Sequence, residues 1–206
     1  YSTPETITED SWRVYGNGEW TLDPQWLVNF GGMAERTHTG DKQFSPRLTL
    51  NYKPSRNQSF RLEYNRAYRA PTFYELLAQN YYLDDGGTPD PTDDIVYQTL
   101  LADNLKSEQV TSRVLGWLLQ LPKQGLQVDA RLFYDRYENL IDVAFVSDGD
   151  GNDYIYQFIN QSEAVTLKGV EFQIEWRPAR STRIYLTPSW ARIHSHDSSI
   201  EDSAPP

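Results

Sequence analysis

The chain contains no cysteine, which excludes disulfides and thiolate metal sites. It has no stretch of about 18 apolar residues, so no transmembrane helix is available, and its mean hydropathy is low at -0.67. A basic surplus is missing too. The net charge of -10 argues against nucleic acid as a partner, since phosphate binding calls for a basic stripe. No signal peptide is legible, because Tyr1 opens a polar, Thr/Glu-rich stretch. There is no glycine-rich phosphate loop and no G-x-S-x-G, and the histidines lack a recognisable serine partner. Neither catalysis nor a cofactor is expected.

What the chain does have is alternation. Pro46, Leu48, Leu50 and Tyr52 alternate with Ser45, Arg47, Thr49 and Asn51. Val128, Ala130, Leu132 and Tyr134 alternate with Gln127, Asp129, Arg131 and Phe133. Val170, Phe172, Ile174 and Trp176 alternate with Gly169, Glu171, Gln173 and Glu175. Successive side chains of a strand point to opposite sides, so each strand must lie between an apolar medium and a wet one. Further strands are expected at Trp12–Trp20, from Trp26 through Gly32, around Phe60 to Asn65, from Val114 to Leu121, and from Ile184 to Trp190. The strand at 127–134 can run on through Ile141, Val143 and Phe145. In the Val114–Leu121 strand the inner face, with Val114, Gly116 and Leu118, is too apolar for a fully wet lumen.

Short turns are expected near residues 22, 55, 123 and 179, where Asp-Pro, Pro-Ser, Pro-Lys and Pro-Ala steps occur. They alternate with longer connections near 39, 88 and 150; the second runs from Ala70 to Ser107. Short turns at one end and long loops at the other are the pattern of an outer-membrane barrel. Trp20, Trp26, Tyr52, Phe60 and Trp176 crowd the short-turn end, as a membrane girdle does. The expected fold is all-β, an antiparallel transmembrane β-barrel to which the chain contributes about eight strands. A soluble β-sandwich serving binding or adhesion is the competing architecture, since its strands alternate as well. A complete eight-stranded barrel is a third, and requires the first strand to pair with the last.

The segment YNRAYRAPTFYEL at Tyr64–Leu76 resembles the strand-end signature of TonB-dependent outer-membrane receptors, through Tyr68, Arg69, Ala70, Pro71, Glu75 and Leu76. Asn104-Leu105-Lys106-Ser107-Glu108 is similar to the family's NLKPE, with Ser107 where proline is usual. Leu115-Gly116 falls where the family has Glu-Leu-Gly, with Val114 in place of the acid. LFYDRYENLI at 132–141 and LKGVEFQIEWRP at 167–178, which holds Gly169 and Glu171, look like two further blocks. Together they cover about Ser11 to Trp190. The resemblance implies a partial barrel domain, residues 1–206, of a barrel of about 22 strands. It also implies a lumenal plug and a final strand, neither of which is found in this sequence. The implied partners are outer-membrane lipid, TonB acting through the plug, and a bulky scarce nutrient. A ferric siderophore is the leading cargo, with cobalamin, haem and glycans as alternatives.

Several residues are candidates for function. Pro71 has no N–H for a ladder, so Arg69-Ala70-Pro71 reads first as a strand terminator. Arg47, Arg61, Glu63, Asp129, Arg131, Glu171 and Glu175 are expected to face the lumen and to pair with one another or with a plug. Tyr74, Tyr81, Tyr82 and Tyr97 lie among acids in the long connection and offer rigid contact area for a ligand such as an iron chelate. Packing of the loop on itself is the alternative role. Asp148, Asp150 and Asn152 alternate oxygens as Ca²⁺ sites do, though the EF-hand pattern is not met and a plain turn is favoured. His194 and His196 share a strand face without a third ligand nearby, so no metal site is expected there.

Overall fold

A computed structural model describes residues 10–84, 87, 95–146 and 154–195. The elements in chain order begin with β1 (Trp12–Thr21), β2 (Trp26–Arg36), β3 (Lys42–Ser55), β4 (Gln58–Arg69) and the short helix α1 (Phe73–Leu77). Then come β5 (Asn80–Asp84), β6 (Ile95–Leu100), β7 (Glu108–Leu121), β8 (Leu126–Glu138) and β9 (Ile141–Val146). β10 (Tyr154–Asn160), β11 (Val165–Ala179), β12 (Thr182–Leu186) and β13 (Ser189–His194) complete the series. The chain divides into two units: residues 1–68, 110–137 and 165–206 form the first, and 69–109 with 138–164 form the second.

The first unit is a sheet in the order β1-β2-β3-β4-β7-β8-β11-β12, with β13 also on β11. Its register sorts side chains into pure rows. Trp20, Val28, Leu50 and Leu62 face one another across β1 to β4. The neighbouring row on the other face holds Glu19, Asn29, Thr49 and Glu63. A one-residue slip in any pairing would place charge among the apolar rows, which is why the alternation fixes the register. Among the described residues the apolar face has no second layer upon it: Val14 is 63% exposed, Trp20 62% and Trp190 59%. A sandwich buries that face against another sheet, so the sandwich reading does not describe this unit. β1 and β12 stand at opposite ends of the strand order, so the pairing of first and last strand that a complete small barrel requires is not part of it.

The short turns form where the sequence places them. The Asp23 carboxylate accepts from the N–H of Gln25 and of Trp26 at 2.7 and 2.9 Å, fixing the β1–β2 turn. Pro122–Gln124 form a 3-10 turn closed by Gly125 at φ 61°. A Cβ on Gly125 would lie 2.4 Å from the Arg177 carbonyl, so the turn requires glycine. At this end Trp26 stacks on Tyr52 at 4.3 Å and Tyr52 on Phe60 at 6.5 Å, which builds part of the expected girdle.

The strand with the overly apolar inner face is explained by its neighbours. Gly116 is buried, and a Cβ there would touch the Arg61 side chain at 3.4 Å. The long polar side chain of Arg61 from β4 thus lies over β7 at Gly116. The expected strand from Ile184 to Trp190 appears as β12 and β13 in one register on β11: Ile174 faces Leu186, and Val170 faces Trp190. Pro188 interrupts the ladder for want of an N–H, while its carbonyl accepts from Phe172 at 2.9 Å.

The second unit corrects two expectations. The connection from Ala70 to Ser107 contains α1, β5 and β6. The strand through Arg131 does not run on to Phe145: β8 ends at Glu138, Asn139 takes φ 56°, and β9 joins a different sheet. That sheet has the order β5-β6-β10-β9, and its β6–β10 pair is parallel, an exception to the antiparallel rule elsewhere. Asp148, Asp150, Asn152 and His196 lie outside the described residues.

Candidate functional site

The second unit is organised by one arginine. Arg69 ends β4, and Pro71 behind it has the largest of the fully buried side chains. Arg69 donates through Nη1 and Nη2 to the two oxygens of Glu75 at 3.0 and 2.9 Å, and through Nε to Glu108. Glu75 also accepts from the Thr72 N–H at 2.6 Å, while Thr72 Oγ1 accepts from the Glu75 N–H at 3.2 Å. This reciprocal capping box starts α1. Glu108 uses its second oxygen to accept the Ile141 N–H at 2.8 Å.

The electrostatics follow from those contacts. Burial pushes the Glu75 carboxyl up, but the Arg69 hydrogen bonds and the Thr72 donors outweigh it and hold it below its ordinary value. The Glu108 carboxyl is lowered chiefly by its hydrogen bond from Arg69, against partial burial. Both acids belong to the second unit rather than to the wall. The Asn-Leu-Lys block joins the same assembly. Asn160 accepts from the Lys106 N–H at 2.7 Å and donates to the Lys106 carbonyl at 2.9 Å and the Asn139 carbonyl at 2.7 Å. Asn104 sits at φ 52°, a conformation asparagine tolerates, and Leu105 beside it is buried.

An aromatic face lies on the four-stranded sheet. Tyr82 faces Tyr97 across β5–β6, and Tyr97 faces Tyr154 across the parallel pair. Ring centroids are 6.1 Å apart for the first pair and 5.1 Å for the second, which is stacked at 9°. Phe145 continues the series, 6.1 Å from Tyr154 and 5.8 Å from Tyr156. Tyr74 packs edge-on against Phe158 at 5.7 Å. Tyr82 is 63% exposed, Tyr154 43% and Tyr97 37%, so the rings present their surface to solvent. Of the four tyrosine candidates, Tyr82 and Tyr97 meet. Tyr81 faces Gln98, one position out of phase, and so lies on the opposite side of the sheet. Tyr154, Tyr156 and Phe158 were missed by sequence reasoning, although their alternation along one short strand marks an aromatic face.

On the first unit, the seven charged candidates share the polar face. Arg61 pairs with Glu63 at 2.5 Å and Arg131 with Glu171 at 3.2 Å, while Glu175 holds Arg177 and Arg183 at 2.7 and 2.9 Å. Arg47 lines a polar concavity of about 380 Å³ with Asn17, Asn29, Asn51, Arg61 and Glu63. Asp129 faces Gln173. Gly169 admits the Phe133 ring and the β13 backbone: a Cβ there would lie 2.7 Å from Phe133 and 2.3 Å from the Trp190 carbonyl. Among the described residues no group of three His, Asp or Glu side chains is placed to hold a metal.

Comparison with known proteins gives a consistent result. Residues 1–202 match the family model described as TonB dependent receptor-like, beta-barrel. A curated relative, the heme/hemopexin utilization protein C of Haemophilus influenzae (strain 86-028NP), is 25% identical over 150 residues, covering 69% of this chain and 21% of that protein. The siderophore receptor PirA of Pseudomonas aeruginosa superimposes with a TM-score of 0.73 at 15% identity, over 90% of this chain and 34% of its own. A mutant of the ferric enterobactin receptor PfeA of the same organism, crystallised with enterobactin, gives 0.71 at 21% identity, over 88% and 27%. The chain thus spans about a fifth to a third of the length of these proteins.

Proposed function

The chain belongs to the family of TonB-dependent receptor-like β-barrels, and from that premise we propose that it forms wall and loops of a receptor for a bulky iron chelate, most simply a ferric siderophore with aromatic groups. Family membership makes it part of a transporter in the outer membrane of a Gram-negative bacterium. The apolar rows of the first unit face lipid, and its polar rows face the lumen and the plug. The second unit is extracellular and receives the ligand. Uptake is then driven by TonB through the plug, and this chain contributes selectivity rather than chemistry.

The observation that carries the cargo is the exposed Tyr82–Tyr97–Tyr154 stack. Stacked amphipathic rings bind flat aromatic groups by dispersion and edge polarity, and they are already ordered before the ligand arrives. Haem is the second reading, favoured because the curated relative is a heme/hemopexin utilization protein. The test is iron-limited growth of cells carrying the full-length receptor, with a ferric catecholate siderophore or haem as sole iron source. Receptor-dependent growth and labelled-iron uptake on the siderophore supports the first reading. Growth on haem alone replaces it with the second, and growth on neither, with the receptor in the outer membrane, removes iron from the proposal.

A further inference from the structure

The aromatic face is assembled from two stretches far apart in sequence. Tyr82 and Tyr97 come from the connection after β4, and Tyr154 from the connection after β8. What joins the stretches is the parallel pair β6–β10, whose register sets Tyr97 beside Tyr154, Gln98 beside Ile155, Thr99 beside Tyr156 and Leu100 beside Gln157. A parallel ladder is slightly less stable per residue than an antiparallel one, and no tight turn fixes its phase. The sequence along β10 does not fix it either. Tyr154, Tyr156 and Phe158 share one side of the strand, so a slip of two residues keeps the aromatic side and places Tyr156 opposite Tyr97. The pattern would survive and the stack would not. A contact outside the ladder must hold the register.

Asn160 makes that contact. Its Oδ1 accepts from the Lys106 N–H at 2.7 Å while its Nδ2 donates to the Lys106 carbonyl at 2.9 Å, so one amide pairs with both main-chain groups of one residue. The other Nδ2 hydrogen goes to the Asn139 carbonyl at 2.7 Å. Lys106 and Asn139 lie outside every described strand, so no ladder accounts for these groups, and the Asn160 side chain satisfies them. Gln157 adds a second clip: its Nε2 donates to the Leu101 carbonyl at 2.7 Å, one residue beyond its register partner Leu100. On the other side Ile141, the register partner of Asn160 on β9, is itself held through its N–H by Glu108. Asparagine suits the position because aspartate cannot donate and glutamine carries its amide one methylene further out. A two-residue slip of β10 would carry Asn160 about 6–7 Å along the strand, out of reach of both Lys106 and Asn139.

We propose that Asn160, assisted by Gln157, is the positioning residue of the binding face: it fixes the register of β10 on β6 and so sets Tyr154 against Tyr97 at 5.1 Å and 9°. This rests on the reading of the Tyr82–Tyr97–Tyr154 face as the place where the iron chelate binds. Asn160 stands at the opposite end of β10 from Tyr154 and acts through the strand. Its loss therefore weakens binding by disordering the face before the ligand arrives, not by removing a contact to the ligand.

The test uses the full-length receptor and two readouts. The first needs no ligand. Leu100→Cys and Gln157→Cys place thiols on register partners, on the side of the sheet away from the stack, where a disulfide closes only if the register is kept. Oxidation should bridge them readily, and adding Asn160→Ala should cut the bridged fraction severalfold. An unchanged fraction would overturn the proposal. The second readout is the Kd for whichever of a ferric catecholate siderophore and haem the wild type binds. Asn160→Ala should raise it about tenfold, as loss of a ring contact and its ordering does. Closing the cysteine bridge in the Asn160→Ala protein should return Kd to within about twofold of the bridged parent, because the covalent link now holds the register. In a Tyr154→Leu receptor, whose stack is already gone, Asn160→Ala should add less than about twofold. An asparagine that only stabilises the unit would weaken binding equally in both backgrounds and gain nothing from the bridge, and either result would overturn the proposal. A receptor that binds neither probe, while Asn160→Ala still lowers the bridged fraction, sinks the reading of the face as a binding site and leaves Asn160 as the residue that sets the register.

Discussion

Arg69 and Glu75 form a two-pronged pair across six residues, Nη1 to Oε2 at 3.0 Å and Nη2 to Oε1 at 2.9 Å. The geometry follows from a proline and a helix start. Pro71 stops the β4 ladder, Thr72 caps α1, and the first turn of α1 then turns Glu75 back toward the guanidinium. Because the same guanidinium also serves Glu108, whose other oxygen accepts from Ile141, three stretches of sequence are joined at one side chain.

Replacing that side chain should loosen the second unit without unfolding the wall. Arg69→Gln removes the fork and leaves two largely covered carboxylates side by side, with side-chain exposures of 15% and 17%. The arginine itself is 45% exposed, so solvent compensates part of the loss, and about 1–2 kcal/mol is expected. Arg69→Lys should recover less than half, since an ammonium cannot grip both oxygens of one carboxylate. Hydrogen exchange on the full-length receptor should show faster exchange across 69–109 and 138–164, with 110–137 unchanged. Uniform loss of protection would contradict it.

The same pair sets a pH dependence. Glu75 and Glu108 have lowered folded-state values relative to the ordinary 4.5. A depressed carboxylate contributes stability that is fully present above the unfolded value and is lost as pH falls through the folded one. Protection of the second unit should therefore be constant from neutral pH down to about 5 and decline below about 4.5. In Arg69→Gln the decline should be shallower, because the interaction that separates folded from unfolded values is gone. Exchange at matched intrinsic rates reads both, and an identical profile for the two proteins would remove the Arg69 link.

The wall was legible in the sequence and the second unit largely was not, for reasons of length and pattern. β3, β8 and β11 alternate long enough for one face to declare itself, and the paired rows Leu50–Leu62 and Val128–Ile174 confirm the phase. β5 has aromatic Tyr81 and Tyr82 on opposite sides, and β6 is short, so neither shows a polar and an apolar face. The RAP and NLK-x-E blocks were visible as words. That Arg69 bonds Glu108, 39 residues away, is a tertiary fact that no spacing rule contains.

Gly169 offers a test of the wall's packing. A Cβ there would lie 2.3 Å from the Trp190 carbonyl and 2.7 Å from the Phe133 ring, so Gly169→Ala must displace β13 or the ring. The ring is also held under Arg131, whose guanidinium is 5.4 Å from its centroid. A cost of about 1–3 kcal/mol is expected, as for other overpacked sites. It should appear as a lower temperature of the heat-modifiability transition in the full-length receptor. Phe133→Leu in the same chain should return part of the loss, and failure to do so would place the strain at the backbone contact with β13.

The two faces of the loop sheet separate ligand binding from loop packing. Tyr97 is the middle ring of the Tyr82–Tyr97–Tyr154 series, whereas Tyr81, 66% exposed, projects from the other side. If the stacked face receives the cargo, Tyr97→Ala removes the contact of its own ring and the ordering of two neighbours. Aromatic contacts contribute about 0.5–1.5 kcal/mol each beyond area, so a rise in Kd of about tenfold is expected. Tyr81→Ala should change Kd less than twofold. Tyr81 lies on β5 and Tyr97 on its partner strand β6, and each variant loses one exposed phenol, so a general loosening of the β5–β6 pair would affect them alike. Titration of the full-length receptor with a ferric catecholate siderophore distinguishes the two cases: a large effect at Tyr97 alone identifies the stacked face as the binding surface. Equal small effects at both would mean that the rings serve only to hold the sheet together.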